Sequence, residues 1–144
     1  MKFFKLMKKL LFLPIIISFM TINFIQINKG FTMEYKKTIA IDLDGVLNEY
    51  NGKYDEHNIP NIKAGAKEFI IELSKDYKLI LFTTRDNKKV KDWLIKNDID
   101  KYFDNITNTK PLASIYLDDR ALNFEGDFGK TINDIKNYRV YWKY

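Results

Sequence analysis

Short continuous apolar runs, rich in β-branched residues and ending in polar side chains, recur four times along this chain. Such runs, bounded by turn signals, are typical of strands buried inside a parallel sheet. They predict strands at Thr38–Ile41, Leu79–Phe82 and Ser114–Leu117, and a shorter strand within Tyr102–Thr107. The polar residues that follow these runs are then expected at one edge of the sheet.

Segments with apolar residues at helical spacing lie between and after these strands. The helical period is present in Ala64–Lys75 and again in Asn87–Asn97, and Thr131–Asn137 is also predicted to be helical. The order strand, helix, strand, helix, strand, strand favours right-handed crossovers and a parallel sheet covered on both faces. We therefore predict an α/β fold, a three-layer α/β/α sandwich with a central parallel sheet.

The polar segment Asn48–Pro60 separates the first strand from the first helix and contains the turn signal Asn51-Gly52. We expect it to form a flap or a short loop over the end of the strand. A length of 144 residues suits one domain. We place this domain at residues 33–144, after a hydrophobic leader at residues 1–32.

Two aspartates, Asp42 and Asp44, come directly after the first predicted strand and are followed by Gly45. In open α/β sheets, ligands bind just outside the carboxyl ends of such strands. Strand periodicity makes both carboxylates face the same way. Two like charges this close are costly unless a cation joins them or one of them holds a proton. The pair therefore indicates a hard metal ion, a nucleophile with an acid, or both.

Further polar clusters fall at or beside the ends of the later strands, in the order Thr83/Thr84, Lys110 and Asp118/Asp119. Together with the first pair, they resemble the four motifs of the haloacid dehalogenase (HAD) superfamily of phosphohydrolases. The resemblance covers about residues 37–124. It is carried by Asp42-Leu43-Asp44-Gly45-Val46, the apolar run ending at Thr83, Lys110-Pro111, and Ile115-Tyr116-Leu117-Asp118-Asp119.

This resemblance implies a Rossmann-like fold and a Mg²⁺-dependent phosphatase that acts on a phosphomonoester through an aspartyl-phosphate. The gaps between the motifs are filled by the predicted helices, strands and loops, so no separate cap domain is expected. The compact chain is similar to small capless HAD hydrolases of bacteria and phages. The resemblance does not identify the natural substrate.

The resemblance also assigns catalytic roles, and general chemistry agrees with them. Asp42 is the predicted nucleophile, and Asp44 is predicted to protonate the leaving group and then to activate water. Phosphoryl transfer also needs donors and positive charge around the phosphoryl oxygens, which we assign to Thr83 and Lys110.

Magnesium prefers oxygen ligands, which carboxylates supply. The predicted metal ligands are Asp42, Asp44 through its backbone carbonyl, Asp118, and Asp119 as a ligand or as support for one.

Substrate binding is predicted for Thr84 and Arg85, which follow Thr83 at the end of the second strand. Arg85 has a second interpretation as the partner of a structural ion pair with Asp119. Arg120 is the other candidate for that pair.

Three other functions use similar residues. A phosphotransferase would pass the phosphoryl group to an acceptor other than water. A receiver-type signalling domain would place its lysine last, whereas Asp118 and Asp119 follow Lys110 here. A non-catalytic domain that binds Mg²⁺ or phosphate would not need the full set of catalytic residue types. The sequence therefore favours the phosphatase, with the phosphotransferase and the binding domain as alternatives.

Charge and composition exclude some classes of function. The five lysines before Glu34 account for the whole formal net charge of +5. Basic and acidic residues therefore balance in the predicted domain, and binding to nucleic acid is not indicated. The chain contains no cysteine, which excludes disulfides and thiolate metal sites.

The apolar segment Leu10–Ile27, preceded by four lysines, fits a signal anchor or a cleaved signal peptide. A third hypothesis is that translation starts at Met33, because Lys29-Gly30 would be encoded by a purine-rich run just upstream. A start at Met33 predicts a cytoplasmic protein, and translation of residues 1–32 predicts one that is membrane-anchored or exported. Sequencing of the native N-terminus distinguishes these cases, and a peptide from before Met33 would contradict the internal start.

Overall fold

A four-stranded parallel sheet runs through the part of the chain that the computed structural model describes, residues 35–143. Its spatial order is β3-β2-β1-β4. The strands are β1 (Thr38–Ile41), β2 (Lys78–Phe82), β3 (Asn105–Thr107) and β4 (Ile115–Leu117). The prediction of an α/β fold with a central parallel sheet is confirmed. The hypotheses about residues 1–32 lie outside the described residues.

Strand β1 is paired on both sides, and its register sets the position of the first aspartate. Ile41 pairs with Leu81 of β2 and with Leu117 of β4, so β1 and β4 end at the same level and β2 ends one residue further. The ladder continues one residue further, since the Asp42 amide donates to the Leu117 carbonyl over 2.9 Å. The residues that follow β1, β2 and β4 are thereby gathered at one edge of the sheet.

Within residues 35–143, three helices accompany the sheet: α1 (Ala66–Asp76), α2 (Asn87–Lys96) and α3 (Phe128–Asn137). Asp86 caps α2 by accepting a bond from the Lys89 amide over 3.0 Å. Asp127 caps α3 through the Lys130 amide over 3.0 Å, so this helix begins three residues before its predicted start.

The third strand lies within its predicted range, Tyr102–Thr107. Asp100–Tyr102 forms a turn of 3₁₀-helix, so β3 begins only at Asn105.

The hydrophobic core lies between one face of the sheet and the helices α1 and α2. The strands contribute the alternate residues of β1 and β2, and the helices contribute their apolar stripes. The core residues of these elements are Ile39, Ile41, Ala66, Ile70, Leu79, Leu81, Val90, Trp93 and Leu94.

A cavity of about 710 Å³ is bordered by Lys110 and by three residues of the sheet, Ala40, Phe82 and Tyr116. Helix α3 leaves its apolar residues exposed, with Phe128 at 77%.

The loop between β1 and α1 contains isolated bridges at Asn48 but no helix or strand among its residues, all of which are described. Between β1 and α1 the chain therefore holds no separate cap domain. Within residues 35–143, no helix is both long enough and apolar enough to cross a membrane.

The core predicts a sharp contrast between two neighbouring residues of α1. Ile70 is fully buried, whereas Phe69 is 40% exposed. Replacing Ile70 with alanine should lower the free energy of unfolding by about 2–5 kcal/mol, because it leaves a cavity under the sheet. Phe69→Ala is the matched control and should cost clearly less in urea denaturation of the same chain. Equal losses would contradict the assignment of this core face.

Candidate active site

Asp42 lies at the end of β1 and is mostly buried. Burial first, and then the negative charges of the three neighbouring aspartates, raise the pKa of Asp42 to about 7. The amide of Leu43 opposes this shift by donating to the carboxylate. Without a cation beside it, Asp42 therefore keeps its proton to a higher pH than an ordinary aspartate. A group perturbed in this way, in a cleft, is a candidate functional residue.

Asp44 has both carboxylate oxygens engaged. Its Oδ2 accepts a bond from Arg85 Nε over 2.7 Å, and its Oδ1 accepts a bond from Asn48 Nδ2 over 2.8 Å. Asn48 is fully buried, and its Oδ1 accepts a bond from the Gly45 amide over 3.1 Å. The side chain of Asp44 is thus fixed in orientation by the flap and by the end of β2.

Arg85 connects Asp44 to the flap rather than to Asp119. Its side chain is 3% exposed, and its Nη1 donates to the carbonyl of Asp55 over 2.7 Å. The ring of Tyr54 covers the guanidinium, with 4.7 Å between the ring centroid and Cζ. Arg85 is therefore held by Asp44 on one side and by the flap on the other. Its predicted contact with substrate stays a prediction.

Three of the predicted metal ligands converge. One carboxylate oxygen from each of Asp42, Asp118 and Asp119 lies within 4.8 Å of the others. The side chain of Asp119 is only 1% exposed, yet its Oδ1 has no hydrogen-bond partner among the described residues. A buried carboxylate oxygen without a partner is costly, and a bound cation would satisfy it. An all-oxygen donor set of this kind fits Mg²⁺.

Gly45 leaves the space that this cluster needs. Its φ of +89° is in the region that favours glycine, and a Cβ here would collide with Asp119 Oδ2. The same Cβ would lie 2.7 Å from Trp142 Nε1. The glycine that follows the Asp-x-Asp pair is thus required both by backbone conformation and by the approach of two distant side chains.

An open cleft of about 320 Å³ lies in front of these carboxylates. Its lining includes two of the three clustered aspartates together with Asp44, and also Thr83 and Thr84 at the end of β2. The complete lining is Asp42, Asp44, Tyr50, Tyr54, Phe82, Thr83, Thr84, Asp118 and Arg120.

The positive charge at this cleft comes from a residue that the sequence did not assign to it. Among the residues that line the cleft, Arg120 is the one lysine or arginine. Lys110 instead borders the neighbouring cavity, which shares Asp118 with the cleft. The Lys110 ammonium lies 4.7 Å from the centroid of the Tyr116 ring. The predicted role of Lys110 at the phosphoryl group stays a prediction.

Sequence reasoning also missed residues that support the site. Asn48 was included only in a polar flap, although an amide four residues after Asp44 is a usable local signal. Trp142 lies far from the motifs in the sequence, yet its Nε1 donates to Asp119 Oδ2. Tyr50 packs edge-on against the Trp142 ring, with 5.3 Å between centroids. No local pattern links Tyr50 or Trp142 to the aspartates.

The parallel sheet and its carboxylate-lined edge define an α/β protein with an aspartate-based site. Comparison with protein families identifies it further: the profile of the haloacid dehalogenase-like hydrolase family matches residues 14–115. The chain belongs to this family of hydrolases, and the resemblance seen in the motifs is confirmed.

A solved structure of a conserved protein from Bacteroides thetaiotaomicron is also similar, with a TM-score of 0.50 and 21% sequence identity. The match covers 74% of this chain and 95% of that protein, and it supports the fold. A comparison with curated proteins gives no match.

The raised pKa of Asp42 predicts a pH dependence of stability in the metal-free protein. The folded chain holds this proton to about pH 7, whereas the unfolded chain releases it near the ordinary value of 3.8. Stability from this group is therefore lost as the pH rises through that window. Asp42→Asn should remove this loss, so its advantage over the wild type should grow between pH 5 and pH 8, by at most about 3 kcal/mol.

Urea denaturation of both proteins in the presence of a chelator measures this difference. An advantage of Asp42→Asn that is the same at pH 5 and pH 8 would contradict the raised pKa.

Proposed function

We propose that this hydrolase is a Mg²⁺-dependent phosphatase that acts on a phosphomonoester through an aspartyl-phosphate on Asp42. The observation that carries the proposal is the convergence of Asp42, Asp118 and Asp119, with the buried Oδ1 of Asp119 left without a partner. An acidic cluster of this kind, at the ends of β1 and β4, needs a cation before an anionic substrate can approach it.

Magnesium would be held by Asp42 and Asp118, with Asp119 as a ligand or support and the backbone carbonyl of Asp44 as a further donor. When bound, the ion would shield the phosphate charge and so allow an anionic nucleophile to approach. Its positive charge would also favour the ionised form of Asp42 at neutral pH, despite the burial of this carboxylate.

The chemical step divides between two aspartates that line the same cleft. A carboxylate oxygen of Asp42 attacks phosphorus while the ester P–O bond breaks, and Asp44 gives a proton to the departing oxygen. Water then attacks the acyl-phosphate, Asp44 accepts its proton, and inorganic phosphate leaves. The hydrogen bonds from Arg85 and Asn48 support this role because they fix the orientation of Asp44.

Binding of the phosphoryl group falls to neutral and cationic donors. Thr83 and Thr84 line the cleft at the end of β2, where hydroxyl and amide groups can donate to phosphoryl oxygens. Arg120 brings a guanidinium to the same cleft. Lys110 stays part of the proposal because its cavity adjoins the cleft at Asp118.

The central test is release of phosphate by the full chain from a panel of phosphomonoesters, with and without Mg²⁺. Asp42→Asn should lower the rate at least about a thousandfold, because it removes the nucleophile without changing its volume. Asp92→Asn is the matched control, since Asp92 is an exposed aspartate on α2 and should keep full activity.

Activity that is unchanged in Asp42→Asn would contradict the nucleophile assignment. Phosphate release that appears only when an alcohol acceptor is absent, with transfer to the acceptor when it is present, would favour the phosphotransferase. A folded protein that releases no phosphate from any substrate would favour a binding role.

The two cations give a separate prediction about catalysis and binding. Arg120→Ala should raise KM for the phosphomonoester about tenfold, because the guanidinium lines the cleft where the substrate binds. Lys110→Ala should lower kcat by about a hundredfold if its ammonium stabilises charge that develops in the transition state. Steady-state kinetics of both variants measures this division. A Lys110→Ala enzyme with normal kcat would remove Lys110 from the mechanism.

A further inference from the structure

The segment after α3 lies against the loop that carries Asp119. The hydroxyl of Tyr138 donates to the Asp119 backbone carbonyl over 2.8 Å, and Trp142 Nε1 donates to Asp119 Oδ2. The Tyr141 hydroxyl donates to the carbonyl of Gly45, in the loop after β1. One short stretch of chain thus holds both the backbone and the side chain of Asp119.

The hydrogen bond from Trp142 makes the two oxygens of the Asp119 carboxylate inequivalent. Oδ2 accepts from the indole and lies 3.9 Å from the Nε of Arg120, whereas Oδ1 is buried without a partner among the described residues. With Oδ2 occupied, Oδ1 is the oxygen that remains for a cation shared with Asp42 and Asp118. The orientation of Asp119 therefore depends on the indole N–H.

The indole ring of Trp142 is closely surrounded by neighbouring groups. A Cβ at Gly52 would lie 2.9 Å from the Trp142 ring, and a Cβ at Gly45 would lie 2.7 Å from its Nε1. Tyr50 meets the ring edge-on, and the Arg120 guanidinium lies 5.4 Å from the ring centroid. Two glycines, one aromatic ring and one cation thus surround the side chain, and they hold its N–H toward Asp119.

We propose that Trp142 is a positioning residue for the metal centre. It holds Asp119 by a hydrogen bond to Oδ2 and so presents Oδ1 to the cation bound by Asp42 and Asp118. This inference rests on the proposed function only in assuming a divalent cation at the three aspartates. Loss of a group that orients a metal ligand typically costs 10–100-fold in metal affinity.

The test is Mn²⁺ binding to the substrate-free full chain, followed by the EPR signal of free Mn²⁺. Trp142→Phe keeps an aromatic ring and removes the N–H, so the dissociation constant for Mn²⁺ should rise about 10–100-fold. Trp93→Phe is the matched control. It removes an indole N–H that donates to the Pro60 carbonyl over 2.8 Å, away from the aspartates. It should leave the Mn²⁺ affinity unchanged.

A double-mutant cycle separates positioning from a general loss of structure. In the background of Asp119→Asn, the further change Trp142→Phe should alter Mn²⁺ affinity much less than it does in the wild type, because both changes act through one bond. Circular dichroism checks that each variant is folded.

Wild-type affinity in Trp142→Phe would overturn the proposal, and so would equal effects in both backgrounds. Mn²⁺ binding is independent of phosphate release. A wild-type protein that binds Mn²⁺ but hydrolyses no phosphomonoester would contradict the proposed function and leave the role of Trp142 to be judged by the cycle. A wild-type protein that binds no Mn²⁺ would overturn both.

Discussion

The repulsion among carboxylates at one edge of the sheet is the constraint on which the rest of the site depends. Three of them come within 4.8 Å, and a fourth, Asp44, lies beside them. Burial is the largest cause of the raised pKa of Asp42, and repulsion from the neighbouring carboxylates adds to it. The ion pair with Arg85 balances the charge of Asp44 and so reduces its repulsion of the other three carboxylates. Among the other three carboxylates, the Oδ1 of Asp119 is buried without a hydrogen-bond partner within the described residues, so this cluster, unlike Asp44, is left needing a cation.

Much of the fold and the acidic residues of the site could be predicted from the sequence, because both depend on local patterns. Apolar runs located β1, β2 and β4, and strand ends located Asp42, Thr83 and Asp118. In a parallel sheet with this order, adjacent strands end together, so topology alone brings those residues to one edge.

The details that the sequence did not provide depend on contacts between distant residues. Arg85 is 41 positions from Asp44, and Trp142 is 23 positions from Asp119, so no local period relates them. Lys110 is a case in which a local pattern was not enough. Its position in the order of motifs predicts a side chain in the cleft, but the loop conformation places its ammonium over the Tyr116 ring. Helix α3 begins before its predicted start for a local reason, the cap at Asp127.

Arg85 links the flap to Asp44, a connection that the polar sequence of the flap does not suggest. The same guanidinium holds Asp44 through Nε and the flap carbonyls of Asp55 and Asn58 through Nη1. A displacement of the flap by a bulky substrate would remove both acceptors from Nη1 and leave Asp44, the proposed proton donor, less firmly oriented. In the proposed mechanism, substrate size would then affect proton transfer through the position of Asp44, without a separate domain for substrate recognition.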